Sequence, residues 1–241
     1  MMVFGIEITL WLVLGVILSL IVAAVVFFFI LLQLFIYMTT GVCKSTRKMN
    51  GKTVIITGCT SGIGKETARD LAHRGARLIM ACRNVQAANK LKETFRKKTT
   101  EDGLEMTMAT NQYGPFLLTH LLIDLLKRSK PSRVVVVASE LYRLASLNLD
   151  NLNPVTTFPA YLYYVSKYAN IVFSLELARR LEGTGVTVNC LHPELEGVTG
   201  KYFLDCREYG LSSGVQDPAK GKKFWELSET IVKLQPTDPK I

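Results

Sequence analysis

The class this sequence predicts is α/β: a doubly wound parallel sheet of reduced strand number, preceded by one N-terminal transmembrane helix. Three observations predict it. An apolar run without charge lies near the N-terminus, a β-branched strand leads through a glycine-rich loop into a helix, and a second β-branched strand is followed by a long helix opening around Tyr163. Strands that alternate with helices imply parallel pairing, with the helices laid on the sheet faces.

The apolar run extends from Ile8 to Met38, and only Thr9, Ser19 and Gln33 within it are clearly polar. As a helix it would measure about 46 Å, more than the roughly 30 Å of a bilayer's hydrocarbon core. A cleaved signal peptide is the rival reading, but it would carry a basic leader and a shorter apolar core. Here the only charged side chain before the run is Glu7, which favours a retained anchor. Lys44, Arg47, Lys48 and Lys52 follow it. Positive charge on that side places the later domain in the cytosol and the first residues in a lumen. The expected organisation is therefore a lumenal tail (1–7), an anchor (8–38), a basic linker (39–50) and a folded domain (51–241).

The net charge of +9 is spread over the chain. With no basic block interleaved with aromatics, nucleic-acid binding is not expected. Part of the excess lies beside the apolar run, where anionic membrane lipid would favour it. The five cysteines (Cys43, Cys59, Cys82, Cys190 and Cys206) are odd in number and lack metal-ligand spacing. They read as thiols in a reducing compartment. His73, His120 and His192 are scattered, so no metal site is expected.

The folded domain opens with Lys52 to Thr57, a β-branched run suited to a buried parallel strand. Gly58-Cys59-Thr60-Ser61-Gly62-Ile63-Gly64 follows, then a helix from Lys65 to His73 with Ala68, Leu71 and Ala72 toward the core. Gly75 suits the position just past that helix, and Arg77 to Ala81 reads as the next strand. This order is the one a pyrophosphate site needs. Glycines admit the phosphate to the backbone, and the helix N-terminus offers free N–H groups. Gly58, Ser61, Gly62, Ile63 and Gly64 are the candidate cofactor-binding residues of this Rossmann-like unit. An NAD site usually carries an acid at the end of the second strand, yet Cys82, Arg83 and Asn84 stand there. Arg83 suits a 2′-phosphate, so NADP(H) is preferred over NAD(H).

Val85 to Lys98 reads as one helix, and Thr99 to Gly103 leads into another that bears Asn111. Arg133 to Val137 is a further strand, ending in Ala138-Ser139. Beyond a loop, Tyr163 and Lys167 lie four apart and share a helix face. With nine tyrosines in the chain a Tyr-x-x-x-Lys match alone means little. Its value lies in its place, after the serine strand and in a chain with the glycine loop.

T-G-x-x-x-G-I-G at Thr57 to Gly64, serine at a strand end and Y-x-x-x-K at Tyr163 to Lys167 together resemble the short-chain dehydrogenase/reductase family. The wording G-I-G-K-E-T-A-R-D-L-A, R-G-A-R-L-I-M-A-C-R, L-A-R-R-L-E-G-T-G-V-T-V-N and G-K-Y-F-L-D-C resembles its retinol dehydrogenase branch, from about Met49 to Leu234 with gaps. The resemblance implies that Tyr163 is the general acid/base and that Lys167, a nearby cation, favours its phenolate and holds the nicotinamide ribose. Tyr163 and Lys167 thereby also join the cofactor-binding set. Ser139 would hydrogen-bond the substrate oxygen, and Asn111 would hold a proton-relay water. Without the resemblance, Asn111 reads as a solvent-facing helix residue, Ser139 as a capped strand end and Tyr163 as a core aromatic. The implied substrate is a retinoid or another lipophilic alcohol or aldehyde, and the implied place is the endoplasmic reticulum membrane. The oligomeric state is left open, a homo-oligomer being one outcome.

Two stretches depart from the family pattern. Between Arg83 and Asn111 nothing reads N-N-A-G, so the third and fourth strands are expected to be absent. The first strand must then pair with the serine strand directly or leave a gap. After His192-Pro193 the sequence passes quickly to Lys201-Tyr202-Phe203-Leu204, a last strand, so the substrate lid is expected to be missing. Phe224, Leu227 and Ile231 predict a final amphipathic helix. The alternative functions are a catalytically impaired membrane protein that only binds partners, and a cleaved secreted binding protein.

Overall fold

The computed structural model describes residues 2–39, 45–81, 99–155, 157–190, 198–204 and 207–241. Arg83, the expected helix over 85–98, and the segment from His192 to Gly197 lie outside the described residues. The chain divides into two units, Met1–Cys43 and Lys44–Ile241.

The first unit is one helix, α1 (Met2–Thr39). Its stretch Trp11–Thr39 is long and apolar enough to cross a membrane, and none of it is buried against protein. Ser19 and Thr39 return their hydroxyls to backbone carbonyls one turn back, at 2.8 Å each. That satisfies these polar groups within the helix, as a lipid environment requires.

The second unit begins with β1 (Thr53–Thr57), α2 (Gly62–His73) and β2 (Arg77–Ala81). β1 and β2 pair in parallel from Thr53 opposite Arg77 to Thr57 opposite Ala81. Gly75 at φ +87° closes α2, with Gly75 N–H on Ala72 O and Ala76 N–H on Leu71 O, a Schellman ending. Ala68 is buried and Leu71 half-buried as expected, whereas Ala72 is exposed.

A short helix α3 (Met106–Met108) runs through a π-turn (Ala109–Tyr113) into α4 (Gly114–Arg128). Glu105 caps this start, its carboxylate accepting from Thr107 N–H and Met108 N–H at 2.9 and 2.7 Å. There follow β3 (Ser132–Val136), a 3-10 turn (Glu140–Leu144), α5 (Pro159–Arg180), β4 (Val186–Cys190), β5 (Lys201–Leu204), β6 (Arg207–Glu208), α6 (Ser213–Gln216) and α7 (Pro218–Ile231). β3, β4 and β5 are parallel neighbours, and β6 turns back antiparallel on β5. The final strand and amphipathic helix expected from sequence are β5 and α7.

Among the described residues the strands form two sheets, β1-β2 and β3-β4-β5-β6, with no ladder joining β1 to β3. Of the two expected outcomes, direct pairing of β1 with the serine strand is not seen among the described residues. The expectation that β1 is a buried strand needs correction. Ile55 is 36% exposed and its neighbour Ile79 on β2 44%, while Val135 and Val137 are 40% and 46% exposed. Each forgoes part of the roughly 1.5–3 kcal/mol that full burial of such a side chain contributes. Parallel strands are normally covered on both faces. Here Val134 and Val136 pack on the core while the alternate residues face outward.

The core lies around α5. Ile171, Val172, Phe173, Leu177 and Leu181 are buried there. Phe173 stacks on Trp225 of α7 at 5.9 Å, and Phe116 of α4 meets Trp225 edge-on at 4.9 Å. Gly221 lets α7 approach, since a Cβ there would stand 3.1 Å from Glu176 Oε2. Glu176 is buried between Arg179 and Arg180. His120 lies buried in the aromatic cluster, its Nε2 3.6 Å from Glu229. Burial holds its imidazole below the ordinary value, against the pull of that carboxylate.

Candidate active site

The glycine loop is shaped by three residues. Gly58 and Gly62 adopt φ of +64° and +54°, a region costly for side-chain-bearing residues. Gly64 has a different reason: a Cβ there would run into the carbonyl of Gly58. Ser61 is the N-cap of α2 but its hydroxyl takes no capping bond, so the first N–H groups of the helix remain available to an anion. Ile63 is exposed. A Cβ built on Gly58 or Gly62 meets nothing within 4 Å, leaving open space where a phosphate would lie. The residues present thus fit the pyrophosphate half of a dinucleotide. A Gly64→Ala change is expected to displace the Gly58 carbonyl and weaken NADPH binding at least tenfold, which a fluorescence titration would measure. Unchanged affinity would mean that the loop yields without losing its cradle.

The second group of candidate residues stands on β3, the π-turn, the loop after β3 and α5. Lys167 reaches the end of β3, where its Nζ donates to the carbonyl of Val137 at 2.8 Å. The same Nζ lies 5.5 Å from the centre of the Tyr163 ring, one turn back on α5. Burial lowers the Lys167 pKa, against a smaller upward pull from the Cys190 thiol. That thiol is itself pushed up to about 12 by burial. Tyr163 is 37% exposed, so it is not the core aromatic of the plainer reading. Asn111 is half-buried and donates its side-chain amide to Ser166 Oγ at 3.0 Å, so it does not simply face solvent. Ser166 Oγ in turn donates to the carbonyl of Tyr163 at 2.7 Å. The Ser139 hydroxyl accepts from Leu141 N–H at 3.3 Å and caps the 3-10 turn.

Asn111, Tyr163 and Lys167 are therefore linked through α5, and Ser139 lies two residues beyond the carbonyl that Lys167 engages. The glycine loop belongs to the other sheet, and Arg83 lies outside the described residues. Sequence reasoning missed Ser166 and Asn170. Their signal was present: Ser166, Asn170 and Ser174 form a polar stripe at i, i+4 and i+8 on a helix that is otherwise core, and all three are buried.

The model of the short chain dehydrogenase family matches residues 52–104 and 87–199. Among curated proteins, human retinol dehydrogenase 14 is 33% identical over 294 aligned residues, covering 77% of this chain and 88% of that one. Human retinol dehydrogenase 11 is 35% identical over 288, covering 82% and 91%. Among solved structures, an uncharacterised protein from Mycobacterium paratuberculosis superposes with a TM-score of 0.67 at 25% identity, covering 80% of this chain and 98% of that one. The chain belongs to the short-chain dehydrogenase family and is retinol dehydrogenase-like within it. An alignment of 294 positions cannot be filled by 241 residues, so relatives carry residues at positions where this chain has none.

Proposed function

We propose that the protein is a membrane-anchored, NADP-dependent oxidoreductase that interconverts a retinoid, or a similar lipophilic alcohol, with its aldehyde or ketone. The observation that carries this reading is the placement of Lys167 Nζ against both the end of β3 and the Tyr163 ring. Gly58, Ser61, Gly62, Ile63 and Gly64 would hold the pyrophosphate, Arg83 the 2′-phosphate, and Tyr163 and Lys167 the nicotinamide ribose. Bound NADP(H) would supply or accept the hydride. The Tyr163 hydroxyl gives a proton to the substrate oxygen in reduction and takes it back in oxidation. Ser139 donates a hydrogen bond to that oxygen. Lys167 spends one of its three hydrogens on Val137 and keeps two for the ribose and the phenol oxygen. Asn111 holds the water that passes the proton on.

α1 acts as a single-pass anchor in the endoplasmic reticulum membrane, with the folded domain cytosolic, and keeps the enzyme where apolar substrates partition. A homo-oligomer is compatible with this reading. The test is direct: the full chain, purified in nanodiscs, is titrated with NADPH and assayed with retinaldehyde. Micromolar binding and product formation are expected. The absence of both binding and turnover would sink the proposal.

A second reading has its own observation. The separated sheets and the exposed Ile55, Ile79, Val135 and Val137 fit a chain in which the N-N-A-G strand and the substrate lid are missing. Such a chain would be a catalytically impaired family member that acts by binding. A 1 Å misplacement at the reacting centre already costs on the order of 100-fold. NADPH binding without turnover would favour this second reading.

A further inference from the structure

We propose that Ser166 and Asn170 are positioning residues, holding Asn111 at two points so that the π-turn keeps a fixed register against Tyr163 and Lys167. This inference rests on the oxidoreductase reading for its functional consequence, though not for the hold itself. A π-turn is wider than an α-turn, and here it is closed by the bond from Gly114 N–H to Ala109 O. Such turns disturb the normal ladder and recur at functional sites. At Asn111 the structure adds a partner from another helix: Asn170 Nδ2 donates to the Asn111 carbonyl at 2.7 Å. The same Nδ2 donates to Gln112 Oε1 at 2.9 Å, so both of its hydrogens are engaged within the π-turn. One turn earlier on α5, Ser166 accepts the Asn111 side-chain amide and donates to the Tyr163 carbonyl.

Ser166 is 0% and Asn170 2% exposed. Buried polar groups cost stability unless they are bonded, and apolar residues fill the neighbouring positions of α5, so packing alone does not call for an amide at 170. The bonds have a direction that matters. The α5 turn bearing Tyr163 and Lys167 grips the side chain of residue 111 through Ser166, and the next turn grips its backbone through Asn170. A carbonyl has two lone pairs, and Asn170 occupies one of them at Asn111.

The test uses Asn170→Asp and Ser166→Ala in the full chain in nanodiscs. The first readout is peptide-resolved hydrogen exchange over 106–118, with 218–231 as internal reference. The second is retinaldehyde reduction across pH. An ionised aspartate keeps the shape but cannot donate. At pH 8 the Asn170→Asp variant is expected to exchange about tenfold faster over the π-turn, with unchanged exchange in α7. Its turnover is expected to fall on the order of 100-fold while KM stays within about twofold. Both effects should be partly reversed as the pH is lowered, because a buried carboxyl regains one donor hydrogen, enough for one of the two bonds, above the ordinary carboxylate range. Asn170→Leu, which fills a similar volume without a donor, separates the bonds from the packing: a packing role alone predicts near wild-type exchange and turnover for it, the hold predicts loosened exchange and slow turnover at every pH. Ser166→Ala, which removes only an oxygen, should loosen the same peptide without pH recovery. Wild-type protection in both variants overturns the proposed hold. Loosened exchange with unchanged turnover overturns its consequence for the site. A wild-type chain without turnover defeats the oxidoreductase reading instead, and the exchange measurement still decides the hold.

Discussion

Replacing Tyr163 with Phe is expected to lower turnover by roughly 100- to 10,000-fold, the usual worth of a positioned general acid or base, while the fold stays intact. The second half follows from the surroundings of the side chain. Its ring lies 6.1 Å from that of Tyr164 and 5.5 Å from Lys167 Nζ, contacts that Phe retains. The hydroxyl enters no hydrogen bond among the described residues, so its removal leaves no partner unsatisfied. NADPH affinity should fall only a few-fold, because the phosphate cradle belongs to the glycine loop. Single-turnover kinetics with pre-bound NADPH would separate the two effects. Undiminished turnover in the Phe variant would mean that the proton does not pass through this phenol.

Trp225→Ala is expected to destabilise the folded domain by about 3–5 kcal/mol, the range for deleting a buried aromatic. A typical domain has only about 5–15 kcal/mol in total. Trp225 is fully buried and touches Phe116, Phe173 and His120. The Arg180 guanidinium lies 4.5 Å from its ring centre, and its indole N–H donates to Glu229 Oε1 at 2.7 Å. Removing the ring leaves that carboxylate facing His120, whose nitrogens have no hydrogen-bond partner among the described residues. The measurement is urea unfolding followed by circular dichroism, where the midpoint should drop sharply. Trp225→Phe, which refills most of the volume, should lose much less. Equal midpoints for Trp225→Ala and the parent chain would show that α7 does not help hold α5.

Much of the candidate site was legible because its residues act through local spacing. Tyr163 and Lys167 share a helix face by periodicity, and Gly58, Gly62 and Gly64 announce a turn that side chains would obstruct. The hold on Asn111 was not legible, since Asn170 and Ser166 lie more than fifty residues further along the chain. No local pattern tells which buried amide meets which carbonyl. The capping role of Ser139 was read only as the plainer alternative, and the structure gives it alongside the place at the strand end.

The sequence alone determined the family, the apolar helix, the glycine-rich turn before α2 and the shared helix face of Tyr163 and Lys167, because each depends on residues close in the chain and on geometry that short peptides obey. Only the tertiary structure decided that β1-β2 and β3-β4-β5-β6 are separate sheets among the described residues, that Ile55 and Val135 stay partly in water, and that α5 bonds to the π-turn. The physical reason is that strand pairing and burial are satisfied between distant segments. A strand's own residues state what it could bury, while the neighbours it finds determine what it does bury.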